Sequence, residues 1–107
     1  MLAKMNNWSA WIKETRPDFL MSEYKTLLID CGFNIVNECY HFFNPYGFTA
    51  LILLTESHFA IHTFPEENKT YLELSSCVDL PFKRFIDAFN HKKGVSDIGK
   101  TNRTENS

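Results

Sequence analysis

The chain has 107 residues, 44% of them hydrophobic and 22% charged, which is enough to pack one core and excludes a globally disordered or fibrous polypeptide. Its formal charge of −2 gives no electrostatic footprint for nucleic acid or an anionic membrane, so neither is expected as a partner. The longest apolar run, 50–54, is far below the roughly 20 residues that span a bilayer, and no signal-like apolar run stands near Met1, so a cytoplasmic protein is expected.

Residues 8–13 (WSAWIK) are aromatic and β-branched and read as a first strand. Thr15 then offers an N-cap, with Pro17 in the first turn and Asp18 three residues on. The apolar set Leu20, Tyr24, Leu27, Leu28 and Cys31 follows at helical spacing until Gly32 stops it. Residues 33–43 are rich in Ile, Val, Tyr and Phe and read as a strand closed by the Pro/Gly turn 44–47. The next segment, 48–55, is almost continuously apolar, as in a central strand covered on both faces. After a break at Glu56-Ser57, residues 58–64 alternate, with Phe59 and Ile61 on one side and His58, Ala60 and His62 on the other. A turn over 65–68 leads into 70–77, where Leu72 and Leu74 oppose Tyr71, Glu73, Ser75 and Cys77, so the two strands should pair as a hairpin.

A second helix opens at 79–81, its apolar stripe formed by Phe82, Phe85, Ile86 and Phe89. Polar residues dominate 92–107, which is expected to be a loose tail beyond a single domain over 1–91. The order β-α-β-β-β-β-α predicts an α+β two-layer sandwich, a largely antiparallel sheet with both helices on one face. Its other face then calls for a partner.

Three cysteines, Cys31, Cys39 and Cys77, form neither a CxxC nor a Cys/His pair, so reduced thiols are expected and no disulfide or zinc knuckle. His58 and His62 share a strand face but have no acidic or cysteine third ligand nearby in sequence, and no metal site is expected. Taken singly, Thr49, Ser57 and Cys77 are ordinary strand and turn residues.

Taken together, the residues have a fixed pattern. Glu56-Ser57-His58 stands at the strand break, His62 lies within Ile61-His62-Thr63-Phe64-Pro65-Glu66, and Cys77 comes twenty residues after Ser57. Upstream stand His41, Phe43, Pro45, Tyr46 and Gly47, and Thr49 is eight residues before Ser57. This pattern resembles the short bacterial and archaeal type of pyruvoyl-dependent S-adenosylmethionine decarboxylase. The chain differs at Thr49, where that family usually has Ser, at Phe64, where it usually has Trp, and at Val78, where a Gly is common.

The resemblance implies a proenzyme that cuts itself between Glu56 and Ser57 into a β chain, 1–56, and an α chain, 57–107. Ser57 would attack the Glu56 carbonyl from a strained, exposed turn, with the Thr49 hydroxyl near the developing oxyanion and His62 as the base for elimination. The cofactor implied is a pyruvoyl group made from Ser57, whose carbonyl condenses with the substrate amine and accepts the electrons of the departing carboxylate. Cys77 would return a proton to the product carbon, Glu66 would hold the ribose, and Phe43 and Phe64 would stack on the adenine. The reaction implied is decarboxylation of S-adenosylmethionine for spermidine synthesis, in a homodimer with sites at or near the subunit interface. Two other readings compete: a pyruvoyl-dependent decarboxylase of arginine or ornithine, and an uncleaved homologue with a regulatory binding role.

Overall fold

Two helices supply one side of the core. In α1 (Pro17–Asp30), Leu20, Tyr24 and Leu28 are fully buried, and in α2 (Asp79–Lys93) Phe82, Phe85 and Phe89 are, each set one stripe of its helix. The computed structural model describes residues 3–93 and 98–105. Its strands are β1 (Asn6–Ile12), β2 (Ile35–Phe42), β3 (Phe48–Leu54), β4 (Ser57–Phe64), β5 (Lys69–Ser76) and β6 (Ile98–Glu105). Together they form one sheet in the order β2-β3-β4-β5-β1-β6, every neighbouring pair antiparallel. Trp8, Ala10, Ile52, Leu54, Phe59, Ile61, Leu72 and Leu74 face the helices and complete the core. Aromatic rings lock the layers together: Trp8 meets Phe85 and Phe89 edge-on, and Tyr24 stacks on Phe59 with centroids 5.6 Å apart.

The expected α+β sandwich with both helices on one face is the observed architecture, with three local differences. The first is the cap of α1, which is Arg16 rather than Thr15 and makes no side-chain capping bond. Glu14 instead braces the entry to the helix, its carboxylate accepting from the backbone N–H groups of Thr15 and Arg16 and from the Arg16 guanidinium, while Asp18 accepts from the Phe19 N–H in the first turn. The helix ends as expected at Gly32, whose φ of +109° allows its N–H to reach Ile29 and that of Phe33 to reach Leu28.

The second difference is that β3 is covered on one face only. Leu51 and Leu53, on the face away from the helices, are 46% and 50% exposed. A continuous apolar run shows that both faces avoid water, but not whether the cover comes from the same chain. The third is that residues 98–105, read as part of a loose tail, form β6 along β1, and α2 runs through Lys93. Polar residues such as Lys100, Thr101, Asn102 and Arg103 give no burial pattern, so pairing through the main chain leaves no trace in the sequence. Among the described residues no helix is long and apolar enough to cross a membrane.

Candidate active site

The loop joining β3 to β4 is two residues long, Thr55-Glu56, with Leu54 paired to Ser57 across it. Such a loop needs a positive φ, usually supplied by Gly or Asn, and here Glu56 adopts φ 58°. Left-handed backbone in a residue with a Cβ costs on the order of 1–3 kcal/mol, and the strain falls on the residue that precedes Ser57.

Ser57 opens β4 with its side chain turned toward the helices, so it is 5% exposed rather than standing on an exposed turn as expected. Its Oγ lies 2.7 Å from the Glu56 carbonyl oxygen and 2.8 Å from Ser76 Oγ. Cys77 follows β5 directly, and the pairing of Ser57 with Ser76 brings it to the same place. The Cys77 thiol donates to the Glu56 carbonyl oxygen at 3.0 Å, and its backbone N–H donates to the same oxygen at 3.4 Å. Partial shielding of the thiol, its contact with the Glu56 carboxylate at 3.6 Å and the nearby Asp79 carboxylate hold the Cys77 pKa above that of an ordinary thiol. The thiol is thus kept protonated. One peptide carbonyl is therefore contacted by a hydroxyl and by two further donors, an arrangement that could serve attack on that carbonyl.

Thr49 and His62 lie elsewhere. They pair directly across β3 and β4, with Thr49 Oγ1 3.0 Å from His62 Nδ1. The ladder between these strands has no bulge, so His62 sits five residues along from Ser57, about 16 Å at the usual rise, and on the opposite face. Within one chain neither Thr49 nor His62 reaches the Glu56–Ser57 bond. They belong to a row that crosses the uncovered face: His41, Thr49, His62, Tyr71 and Trp11 on five adjacent strands.

The residues expected to hold substrate extend that row away from Ser57. Phe64 packs against Trp11 with centroids 5.8 Å apart, Phe43 against His41 at 4.7 Å, and Glu66 is exposed in the 3-10 turn Pro65–Glu67. Along the same uncovered face, beside His58, runs a shallow groove of about 370 Å³ lined by Asn37, Cys39, Leu51 and Leu53. Among the described residues there is no group of three His, Cys, Asp or Glu placed to hold a metal.

Sequence reasoning missed both Ser76 and the separation into two clusters. The register would have given both: a two-residue loop at Thr55-Glu56 puts Thr49 opposite His62, and the hairpin closed at 65–68 puts Ser76 opposite Ser57.

An antiparallel sheet backed by two helices, with a serine against its own preceding carbonyl, has counterparts among known proteins. A profile of the S-adenosylmethionine decarboxylase family matches residues 14–100. The chain belongs to that family. Its relatives include proteins named S-adenosylmethionine decarboxylase proenzyme from Acidithiobacillus ferrooxidans, 34% identical over 66% of this chain and 52% of the relative, and from Fervidobacterium nodosum, 36% identical over 64% and 51%. Another, from Archaeoglobus fulgidus, is 39% identical over 50% of this chain and 53% of its own length. The chain thus spans about half the length of the curated relatives it matches. Its fold is also similar to the crystal structure of the adenosylmethionine decarboxylase from Aquifex aeolicus, with a TM-score of 0.75, 18% identity, and coverage of 97% of this chain and 91% of that one.

Proposed function

We propose that the chain is a self-cleaving proenzyme that becomes a pyruvoyl-dependent decarboxylase of S-adenosylmethionine, supplying the aminopropyl donor for spermidine synthesis. The carrying observation is the contact of Ser57 Oγ with the Glu56 carbonyl at 2.7 Å, across a strained residue and opposite two donors from Cys77. In the first step a bond forms between Ser57 Oγ and the Glu56 carbonyl carbon, the C–N bond between the residues breaks, and the hydroxyl proton ends on the Ser57 nitrogen. An ester remains. Removal of the Ser57 α-proton and departure of the Glu56 carboxylate leave a 2-aminoacryloyl end, which takes up water and releases ammonia to give the pyruvoyl group. The Cys77 N–H and S–H would steady the oxyanion of the first step.

The residues present fit a pyruvoyl group at position 57, because the bond that must break directly follows the strained Glu56 and a protonated thiol stands beside it. Once formed, the group supplies an electron sink for the pair left by a departing carboxylate. Cys77 would then deliver a proton to the substrate α-carbon. Family membership and the names of the relatives support S-adenosylmethionine as the substrate.

The second cluster gains a role if two copies pack through their uncovered faces. A two-fold axis between the sheets and perpendicular to the strands brings opposite ends together, so Thr49, His62, Phe64 and Glu66 of one copy would approach the Glu56–Ser57 backbone of the other from its uncovered side. His62 would then serve as the base for elimination, Glu66 would hold the ribose, and Phe43 and Phe64 the adenine. Support comes from Leu51 and Leu53, half exposed on that face, which a homodimer would bury. Three unpaired thiols and a charge of −2 suit such an enzyme in the cytoplasm.

Intact mass spectrometry of the purified chain tests the reading, followed by carbon dioxide release from S-adenosylmethionine, arginine and ornithine in parallel. The expected result is two fragments split after Glu56, the second with a pyruvoyl end, and release from S-adenosylmethionine alone; Ser57→Ala should leave one chain of full mass. An uncut wild-type chain, or release only from a free amino acid, overturns it.

A further inference from the structure

We propose that Ser76 positions the Ser57 hydroxyl for self-cleavage; this rests on the proenzyme reading above and adds a residue to it. The Ser57 proton can point to either of two oxygens, the Glu56 carbonyl at 2.7 Å or Ser76 Oγ at 2.8 Å. The two choices are not equivalent. With its proton on the Glu56 oxygen, Ser57 holds that carbonyl without attacking it. With its proton on Ser76, an Oγ lone pair faces the carbonyl carbon, as bond formation requires.

Ser76 is built to accept that proton. It is fully buried, so water does not compete for its oxygen. The Val78 backbone N–H donates to Ser76 Oγ at 3.0 Å and fixes the side chain, while the Ser76 hydroxyl is drawn to the Val78 carbonyl at 3.3 Å. A lone pair is thereby left for Ser57. The same short turn, Ser76-Cys77-Val78, brings the Cys77 N–H and thiol to the Glu56 oxygen. Nucleophile and oxyanion are thus set by adjacent residues of one segment. As the Oγ–C bond forms and the C–N bond breaks, the proton held toward Ser76 ends on the Ser57 nitrogen, with no other reactant needed.

The test follows cleavage of the full chain in a timed cell-free translation, comparing wild type, Ser76→Ala and Ser76→Thr on denaturing gels, with and without hydroxylamine. Ser76→Ala is expected to cut roughly tenfold to hundredfold more slowly, and Ser76→Thr, which keeps the hydroxyl, to recover most of the rate. Hydroxylamine intercepts an ester at Ser57, so it should not speed Ser76→Ala, in which the ester itself forms slowly. Wild-type speed in Ser76→Ala, equal slowing in both variants, or rescue of Ser76→Ala by hydroxylamine overturns the role of Ser76 alone. A wild-type chain that never cuts overturns the proenzyme reading with it.

Discussion

Glu56 occupies a backbone position that hairpin loops ordinarily give to Gly or Asn, and a residue that breaks a local rule marks a functional place better than one that obeys it. Beside it, Cys77 has two separable duties on the proposed reading. Cys77→Ala keeps the backbone N–H on the Glu56 oxygen, so the chain should still cut, while carbon dioxide release falls by about 100-fold or more for want of the proton donor. The pH dependence follows from the raised thiol pKa: the acid form persists as pH rises, so decarboxylation should hold through about pH 8.5, where an ordinary thiol is half ionised, and decline only above it. A rate profile against pH checks this, and a decline already complete by neutral pH would remove Cys77 from the role. The contact of Ser57, Glu56 and Cys77 was legible because a strand break and fixed spacings carry these residues. The burial of Ser57 was not, since the sequence shows a turn without showing which face its first strand residue takes.

At the scale of elements, alternation and helical stripes recovered the helices and β1, β3, β4 and β5, for the reason that each buries one face against the same core, whereas β2, mostly exposed, was legible from its Ile, Val, Tyr and Phe content and the Pro/Gly turn after it. What escaped were structures that no apolar pattern marks in the sequence: β6, paired through its main chain, and the start of α1, braced by the Glu14 carboxylate. The core also contains a polar misfit. Tyr24 is fully buried, and its hydroxyl has no hydrogen-bond partner among the described residues, so its ionisation is pushed far above the normal phenol range. Tyr24→Phe keeps the ring on Phe59 and removes the orphaned hydroxyl, and should raise stability by about 1 kcal/mol in denaturant unfolding. A loss of 1 kcal/mol or so instead would mean that the hydroxyl has a partner.

Over the whole molecule, one face of the sheet is a core and the other is uncovered, with Leu51 and Leu53 half exposed and a row of polar and aromatic residues crossing it. On the proposed reading that face joins two copies, and Leu53→Glu should yield a monomer in sedimentation and slow cleavage at least about tenfold, because His62 of the partner copy no longer reaches Ser57. A monomeric wild type, or a Leu53→Glu monomer that cuts normally, would assign the base to the same chain. The order of strands also decides what a cut at Glu56–Ser57 does to the sheet. Strands from the two sides alternate: β2 and β3, then β4 and β5, then β1, then β6. The fragments are therefore interlaced like fingers, joined along the seams β3–β4, β5–β1 and β1–β6. Severing the chain there frees two ends without freeing two pieces. Were the halves ever unlaced, they would have to find each other by collision, so the intact precursor is the form that assembles this sheet at a rate independent of concentration.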